Sequence, residues 1–353
     1  MSSGAETTPP GVLRCGHAGF SSPEWRKGVF FPHGLKKDQE FFHYANRYPT
    51  CEMNTSFYGI PRESTIQGWA KQATGRSFQY AIKVPKSVTH ESQLEDPGDT
   101  IRFLWKRLAP LRKVGALGPL LFQLPPRFAR SLDKLQQLAL VLHELDDKEH
   151  LRVAFEFRHP SWFRADVYAV LRANNWALVL SSHPDLPWVE ELTADWTYIR
   201  FHGIRLLHED NYTDDELTTF TTRIKRWLAD GKDVFAYFQF DKGSTGLNNA
   251  ATLITQVTGK APKPQAPAKG TLMSFFGKRK RDSPPPSAVP DDGADDIASS
   301  SSSSTQPIAL DGDDDNDDAD TNPSPTKRHK PLSAAPVVID LSPEPAPALD
   351  PGA

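Results

Sequence analysis

The last quarter of the sequence has almost no aromatic side chains. All eight Trp and all eight Tyr residues lie before residue 261, and only Phe275 and Phe276 come after it. Sixteen of the 31 Pro residues, by contrast, fall beyond residue 260. A segment without large apolar side chains cannot offset the entropy lost on ordering. We therefore predict disorder in residues 1–10 and 261–353 and one folded domain at 11–260, a length typical of a barrel.

Cysteine and long apolar runs are scarce as well. The chain has two Cys residues, Cys15 and Cys51. Both lie in strand-like runs, which suits a reducing compartment. No apolar run approaches the roughly 18 residues needed to cross a bilayer, and no N-terminal segment resembles a signal peptide. We expect a soluble intracellular protein.

The formal net charge of −3 is also small, but it is distributed unevenly. Residues 261–353 contain nine Lys/Arg and fifteen Asp/Glu, a net charge of −6. The remaining residues contain 32 Lys/Arg and 29 Asp/Glu, a net charge of +3. The net charge of the folded domain therefore does not by itself indicate a nucleic-acid-binding surface.

The region rich in apolar residues alternates short apolar runs with amphipathic stretches, an order typical of repeated βα units. The predicted strands are Val12–Gly19, Thr50–Tyr58, Gln79–Pro85, Leu120–Leu124, Leu151–Arg158, Trp176–Ser181, Trp196–His202 and Val234–Phe240. The predicted helices include Lys36–Arg47, Ser64–Ala73, Thr100–Val114, Leu132–Leu145, Arg164–Ala173 and Asp215–Ala229. The link between the sixth and seventh strands is short and Pro-rich, which argues against a helix there. Eight parallel strands predict an α/β fold, a TIM-like (β/α)₈ barrel; an open doubly wound sheet is the alternative.

Several strands carry charged side chains on the face that alternation turns toward the barrel interior. In Ala154–Arg158 the phenylalanines suit the helix side, so Glu156 and Arg158 point inward. The same parity turns further polar residues inward: Glu52, Asn54, Lys83, Gln123, Arg200, His202 and Asp241. Because unpaired buried charge is costly, these residues indicate a pocket at the carboxyl ends of the strands. The alternative is a closed ion-pair network, such as Glu156 with Arg158 or Arg200, that only joins strands.

Candidate roles follow from side-chain chemistry. The candidate catalytic residues are Glu156, Arg158, His202, Glu52 and Lys83. The candidate substrate-binding residues are Asn54, His90, Gln123, Arg200 and Asp241. His159, which precedes Pro160, is interpreted as shaping a turn, and His17 and His43 as surface or structural residues.

Three kinds of site fit these residues. They are metal-dependent phosphodiester chemistry, metal-free acid–base chemistry on a sugar or small acid, and a non-catalytic pocket for a phosphorylated or carboxylated ligand. No HxxxH, HxH or CxxC spacing indicates a preassembled metal site. The cofactor is therefore unknown, with a divalent metal as one alternative.

Seven sequence blocks resemble one known family. They are Glu52–Tyr58 (EMNTSFY), Lys83–His90 (KVPKSVTH), Phe122–Pro126 (FQLPP), Glu156–Trp162 (EFRHPSW), Thr193–Asp195 (TAD), Tyr198–Gly203 (YIRFHG) and Asn248–Ala250 (NNA). In this order, between Arg14 and Thr258, they resemble the YecE-like family, catalogued as domain of unknown function seventy-two. The resemblance implies a barrel related to the TIM fold and supplies no established reaction. Gln239-Phe240-Asp241 departs from the pattern, since such proteins commonly carry paired Asn residues there.

Two basic clusters lie in the predicted tail, at residues 278–281 (KRKR) and 327–330 (KRHK). Such clusters in a polar context are typical of nuclear import signals. The alternative is a solvated run of charge. We expect nuclear localisation and an import receptor as a partner.

Residues 269–276 (KGTLMSFF) resemble the peptide box that binds the replication sliding clamp, PCNA. Leu272, Phe275 and Phe276 match its aliphatic residue and paired aromatics, and Lys269 stands where the box has Gln. A disordered tail that exposes its only two aromatics side by side offers a binding anchor. We expect the sliding clamp as a partner.

Residues 337–341 (VVIDL) resemble a SUMO-interacting motif, in which an apolar peptide adds a strand to an exposed sheet edge. The expected SUMO-binding residues are Val337, Val338, Ile339 and Leu341. Phosphorylation of Ser342, which precedes Pro343, would add to the acidic flank.

The whole sequence predicts a nuclear barrel protein recruited to replication or repair sites through the sliding clamp. Its polar pocket would perform hydrolytic or phosphodiester chemistry on a phosphorylated or nucleic-acid substrate. The alternative is a non-catalytic, ligand-binding scaffold that links the clamp to SUMO conjugates.

Overall fold

The structure is a computed structural model that describes residues 9–145, 151–205, 207, 211–240 and 244–262. The candidate site residue Asp241 lies outside this part of the chain. The predicted clamp box, both basic clusters and the SUMO-interacting motif also lie outside the described residues.

Eight strands form a closed parallel barrel in chain order. They are β1 (Leu13–Ala18), β2 (Thr50–Met53), β3 (Gln79–Lys83), β4 (Leu117–Gln123), β5 (Val153–Glu156), β6 (Ala177–Ser182), β7 (Trp196–Phe201) and β8 (Asp233–Phe238). The barrel closes because β1 pairs with β2 on one side and with β8 on the other. The predicted TIM-like barrel is confirmed, and the open sheet is excluded.

Nine α-helices lie within the described ranges. They are α1 (Lys37–Ala45), α2 (Thr55–Tyr58), α3 (Glu63–Ala73), α4 (Gly98–Arg107), α5 (Ala109–Lys113), α6 (Leu132–Leu145), α7 (Ala165–Ala173), α8 (Asp214–Ala229) and α9 (Thr245–Thr258). Helix α8 shows why such segments become helical: Thr213 and Glu216 form a capping box, and Leu217, Ile224 and Trp227 form a buried stripe. No helix among the described residues is long and apolar enough to cross a membrane.

The barrel interior and the barrel–helix layer have separate apolar cores. Phe155 belongs to the large outer core, whereas its neighbour Ala154 belongs to an inner cluster with Tyr198 and Phe235. Since successive side chains of a strand point to opposite faces, Glu156 shares the inward parity of Ala154. Both Glu156 and Arg200 are buried, at 1% exposure each. The inward orientation predicted from alternation is therefore confirmed for these strands.

Three local predictions were resolved by the structure. The second strand ends at Met53 rather than at Tyr58, and α2 follows it. The hydroxyl of Ser56 lies 2.9 Å from the carbonyl oxygen of Met53 and 2.6 Å from that of Lys83, which holds the turn against β3.

The helix predicted over residues 100–114 is two helices, because Pro110 lacks the N–H that would continue α4. The described link between β6 and β7 has no helix, as the sequence predicts.

Candidate functional site

Arg200 on β7 lies at the centre of a buried polar network near the carboxyl ends of the strands. Its Nη2 and Nε donate to the two carboxylate oxygens of Glu52 on β2, at 2.8 and 3.1 Å. Its Nη1 donates to Oε2 of Glu156 on β5 at 2.5 Å. Its Nη2 also donates to Oε1 of Gln239, which follows β8, at 2.7 Å. One guanidinium thus joins four strands across the barrel.

The two carboxylates stabilise the charge of Arg200 in this buried position. Burial alone would lower the pKa of Arg200, but Glu156 and Glu52 together raise it above its usual value. The hydroxyl of Tyr198 donates to Oε2 of Glu52 at 2.6 Å, so the same carboxylate is held from two sides. Pairing of this kind is what offsets the several kcal/mol that each buried ion costs.

Glu156 connects the buried network to the outer part of the site. Its Oε1 lies 3.0 Å from Nη2 of Arg158 and 3.1 Å from Nε2 of His202, and it accepts a hydrogen bond from Ser181 at 3.1 Å. Burial would raise the pKa of Glu156, but the charges of Arg158 and Arg200 and the His202 hydrogen bond hold it well below its usual value. Glu156 is therefore ionised at neutral pH.

His202, which follows β7, is neutral at neutral pH. Burial first, and then the charge of Arg200, lower its pKa well below the usual value, although Glu156 acts in the opposite direction. Because an ionised carboxylate only accepts hydrogen bonds, the ring proton is assigned to Nε2 and the lone pair to Nδ1. The ring packs edge-on against His183, with ring centroids 5.3 Å apart.

His90 lies at the outer edge of the site in a π-helical turn, Ser87–Glu91, that follows β3. Burial, followed by the charges of Lys83, Arg127 and Arg158, lowers the pKa of His90 to about 4. Nζ of Lys83 lies 4.0 Å from the ring centroid of Phe57, and the ring of His90 packs edge-on against the same phenylalanine. The ends of β2, β3 and β5 thus surround a cationic region.

The turn that carries His90 is followed by an unusual backbone segment. Gln93, Leu94 and Asp96 have positive φ angles of 50°, 63° and 38°. Residues other than glycine adopt this left-handed region at a cost of about 1–2 kcal/mol each. Leu94 is completely buried, so apolar packing holds the strained segment in place. Single π-helical turns and strained backbone both occur preferentially at functional sites.

Most of the predicted site residues come together at this end of the barrel. Glu52, Glu156, Arg158, Arg200 and His202 form the connected network described above. Gln123 is half-buried, with Nε2 3.5 Å from Nε2 of His90. Asn54 lies in the turn after β2, and its Oδ1 is buried without a hydrogen-bond partner among the described residues. His159 accepts from the backbone N–H of Ser161, which agrees with its interpretation as a turn residue.

Three further side chains belong to the site but were not predicted. Ser181 and His183 have the inward parity of β6, so strand alternation was the signal that could have found them. Arg127 lies in the loop after β4, and its Nη2 is 3.4 Å from the carbonyl oxygen of His90. Neither the two-residue period of a strand nor the 3.6-residue period of a helix identifies a loop residue as part of a site.

The acidic residues of this site do not fit a metal centre. No group of three or more His, Cys, Asp or Glu side chains is placed to hold a metal ion in the described part of the chain. The guanidinium of Arg200 lies between Glu52 and Glu156 and already pairs with both carboxylates. A cation therefore occupies the position that a shared metal would need.

Comparison with known proteins agrees with this architecture. The family described as "Protein of unknown function DUF72" matches residues 14–271. The chain belongs to this family. The match begins at the second residue of β1 and includes the other seven strands and α9, and most of the tail predicted over residues 261–353 lies beyond it. The YecE-like resemblance of the sequence blocks is thereby confirmed.

Relatives of this DUF72 protein occur in bacteria. The chain is 24% identical to the UPF0759 protein YunF of Bacillus subtilis over 268 residues, which cover 66% of this chain and 93% of that protein. It is 26% identical to the UPF0759 protein YecE of Escherichia coli K12 over 142 residues, which cover 40% of this chain and 48% of that protein.

Two solved DUF72 structures are also similar. The chain is 27% identical to the protein from Thermotoga maritima, with a TM-score of 0.60, over 70% of this chain and 100% of that one. It is 20% identical to the protein from Enterococcus faecalis, with a TM-score of 0.60, over 73% of this chain and 99% of that one. The second likeness concerns the fold alone.

Proposed function

We propose that the barrel binds a phosphorylated or nucleic-acid substrate and hydrolyses a phosphodiester bond at the carboxyl ends of its strands. The observation that carries this proposal is the convergence of Arg158 and His202 on one oxygen of Glu156, at 3.0 and 3.1 Å. A cation that can bind a phosphate oxygen and a neutral base that can accept a proton thus lie beside each other. A general base and a cation that stabilises developing negative charge both contribute to metal-free hydrolysis of a phosphodiester.

Each residue has a distinct part in the proposed reaction. Arg158 and Lys83 bind the phosphate oxygens, where guanidinium and ammonium groups stabilise the charge of the transition state. His202 accepts the proton of the attacking water at Nδ1, and Glu156 holds the ring through Nε2. The oxygen of that water forms a bond to phosphorus while the bond from phosphorus to the leaving oxygen breaks. The leaving oxygen takes a proton from solvent, and His202 returns its proton to solvent. Arg200 and Glu52 are positioning residues, since Arg200 pairs with Glu156 and Glu52 pairs with Arg200.

The balance of charge in the site favours an anionic substrate. Lys83, Arg158 and Arg200 carry three positive charges against the two carboxylates of Glu52 and Glu156. Arg127 adds an exposed cation beside His90. A phosphate ester compensates this excess charge, whereas a neutral sugar does not. We therefore favour phosphodiester chemistry over the glycosidase-like alternative.

We further propose that the tail brings this barrel to replication or repair sites in the nucleus. The support is the sequence pattern: Leu272, Phe275 and Phe276 for the sliding clamp, residues 278–281 and 327–330 for nuclear import, and residues 337–341 for SUMO conjugates. A tethered enzyme gains local concentration from such weak peptide contacts without a new active-site contact.

The reaction is tested with the full-length protein on nicked, flapped and abasic DNA and on bis(p-nitrophenyl) phosphate. We expect turnover by the wild type. In Arg158→Gln we expect turnover to fall by about 100-fold or more, because the guanidinium group that binds the phosphate is removed. Arg164→Gln, which changes an exposed arginine before α7, serves as the matched control. Turnover equal to wild type in Arg158→Gln would contradict the proposal.

One observation supports the scaffold as a second candidate. Four of the five N–H groups of Arg200 donate to oxygens of Glu52, Glu156 and Gln239, as expected of a network that only joins strands. For a scaffold, the wild type binds phosphate esters or DNA but turns over none of the substrates above. Arg158→Gln then weakens that binding.

A further inference from the structure

The two ring nitrogens of His90, at the outer edge of the site, have separate hydrogen-bond partners. Nε2 faces the side-chain amide nitrogen of Gln123 at 3.5 Å. The same amide nitrogen donates to the carbonyl oxygen of Leu124 at 3.1 Å, which fixes the orientation of the amide. Because an amide nitrogen only donates, the lone pair of the ring is assigned to Nε2.

The other ring nitrogen leads to the same tautomer. Nδ1 lies 2.8 Å from the hydroxyl oxygen of Thr89, and this hydroxyl donates to the carbonyl oxygen of Pro85 at 3.3 Å. A carbonyl oxygen only accepts, so the hydroxyl proton points to Pro85 and the hydroxyl oxygen accepts from Nδ1–H. Thr89 is fully buried, which holds this arrangement in place. Both ring nitrogens therefore assign the proton to Nδ1 and the lone pair to Nε2.

The lone pair of Nε2 persists at neutral pH and is weakly engaged. Burial first, and then the charges of Lys83, Arg127 and Arg158, lower the pKa of this ring to about 4, so His90 is neutral. The contact of 3.5 Å to Gln123 is longer than the usual range for an N–H donor, roughly 2.7–3.2 Å. Since the ring is half-buried rather than enclosed, Nε2 can accept a stronger hydrogen bond from a bound ligand.

The surroundings of Nε2 define the ligand group that suits it. The positive charges of Arg127 and Arg158 act on the ring, and Nη2 of Arg127 lies 3.4 Å from the backbone carbonyl oxygen of His90. These cations disfavour a positively charged donor, and the lone pair repels an anionic oxygen. A neutral O–H or N–H donor satisfies both conditions. Because Arg158 binds the phosphate in the proposed reaction, the nearest such donor of a nucleic acid strand is a sugar hydroxyl rather than a base amine.

We propose that His90 selects phosphodiesters with a hydroxyl beside the phosphate, such as the 2′-hydroxyl of RNA, over those that lack it. This selection rests on the proposed function, because the phosphate must lie on Lys83 and Arg158 for its neighbouring hydroxyl to reach Nε2. DNA has no 2′-hydroxyl and leaves the acceptor with its long contact to Gln123. A glycerol phosphodiester offers the same hydroxyl chemistry from a second source. His90 is thus a specificity residue, and Thr89 is a positioning residue that fixes its tautomer.

The test compares turnover of uridylyl-uridine and of the matching deoxyuridine dinucleotide by the full-length protein. Equilibrium binding of fluorescently labelled ten-residue uridine and deoxyuridine strands is measured in parallel. We expect the wild type to favour ribose by about 5-fold or more, since a hydrogen bond between neutral groups contributes about 1 kcal/mol. His90→Phe keeps a ring against Phe57 but removes the acceptor, so the two sugars should become equivalent. His90→Gln, which retains an oxygen acceptor, should keep part of the preference.

Further variants separate hydrogen bonding from packing. Thr89→Val removes the acceptor of Nδ1–H and should reduce the ribose preference in the direction of His90→Phe. His43→Phe on α1 is the matched control, at another half-buried histidine that packs edge-on against a phenylalanine, and it should keep the wild-type preference. Glycerophosphocholine distinguishes the two sources of the hydroxyl. Turnover above that of uridylyl-uridine assigns the hydroxyl to glycerol, and turnover below it assigns the hydroxyl to ribose.

Equal turnover and equal binding of the two sugars by the wild type would overturn the proposal and leave the phosphodiester chemistry standing. A ribose preference that His90→Phe leaves unchanged would overturn it as well. If no phosphodiester is hydrolysed, the proposed reaction fails, and the ratio of the two strand affinities decides the selection by His90 alone. Absence of both turnover and binding contradicts both proposals. Each ratio is measured within one variant, so it does not depend on the fraction of that variant that is folded.

Discussion

Arg200 donates to both carboxylate oxygens of Glu52 across the barrel, with distances of 2.8 and 3.1 Å. The two residues are 148 positions apart in the chain and lie on strands that are not neighbours. The same guanidinium pairs with Glu156, so the two acidic groups are joined through one cation. One buried cation thus connects acidic groups on β2 and β5 to β7.

Arg200→Met should strongly destabilise the fold. It leaves Glu52 and Glu156 buried without their shared cation, and breaking a buried pair in this way costs about 3–5 kcal/mol. Urea unfolding followed by circular dichroism measures the free energy of unfolding. The triple variant Glu52→Gln, Arg200→Met, Glu156→Gln should recover much of the loss because no charge remains unpaired. A loss below about 1 kcal/mol in the single variant would show that Arg200 does not stabilise the barrel in this way.

Glu156→Gln should abolish most of the activity while the fold persists. The substitution keeps the shape of the side chain but removes the charge that holds His202 and Arg158. We expect turnover of the phosphodiester substrate to fall by about 100-fold or more. Ser181→Ala removes only the third contact to the same oxygen and should have a much smaller effect. Loss of folding in Glu156→Gln, detected by a lower melting temperature without any specific change in turnover, would favour a purely structural network.

Acidification should destabilise the protein through two histidines whose pKa values are lowered, His90 and His202. The pKa of His90 is lowered to about 4 by burial and by the charges of Lys83, Arg127 and Arg158. Since the unfolded residue titrates near pH 6.5, the unfolded state binds a proton first as the pH falls. Stability is then complete above about pH 6.5 and declines toward pH 4. His202 acts in the same direction because its pKa is also lowered.

Urea midpoints at pH 7.5 and pH 5 measure this effect. His90→Gln should lose less stability than the wild type over that interval, because it removes one of the groups that titrate. His43→Gln is a comparison at a less buried histidine whose pKa is also lowered, by burial and by Arg47. An equal loss for the wild type and His90→Gln would mean that His90 carries none of the pH dependence.

The double change Phe275→Ala and Phe276→Ala should abolish binding of a tail peptide to the sliding clamp. One tight helical turn over residues 273–276 would place Leu272, Phe275 and Phe276 on one side. Aromatic anchors of this kind lose about 2–4 kcal/mol on truncation, roughly 30- to 1000-fold in affinity. Calorimetry with a peptide of residues 267–283 measures the dissociation constant.

Two single variants of the same peptide sharpen the result. Lys269→Gln should tighten binding modestly, because one added hydrogen bond contributes about 1 kcal/mol. Ser274→Ala lies outside the apolar face and should change little. If the wild-type peptide shows no binding at tens of micromolar clamp, recruitment through this box is wrong.

Strand alternation in the sequence was sufficient to place Glu52, Glu156, Arg200 and His202 inside one barrel. The reason is physical: a period of two sends alternate side chains to one face, and helical stretches between the runs require parallel strands. The closed barrel follows from the number of such units. The sequence blocks around these residues were also specific enough to indicate the DUF72 family, which the match over residues 14–271 confirms.

Pairing between these residues was decided only by the tertiary structure. Strand alternation predicts which face of β5 Glu156 occupies. It does not predict the distance from Glu156 to His202 or Arg200, because those residues lie far away in the chain and meet Glu156 only across the barrel. The end of β2 at Met53 depends on a contact between Ser56 and the backbone of β3, which no local propensity encodes. The sequence by itself determined the barrel and the inward face of each strand, whereas long-range packing decided which charges meet.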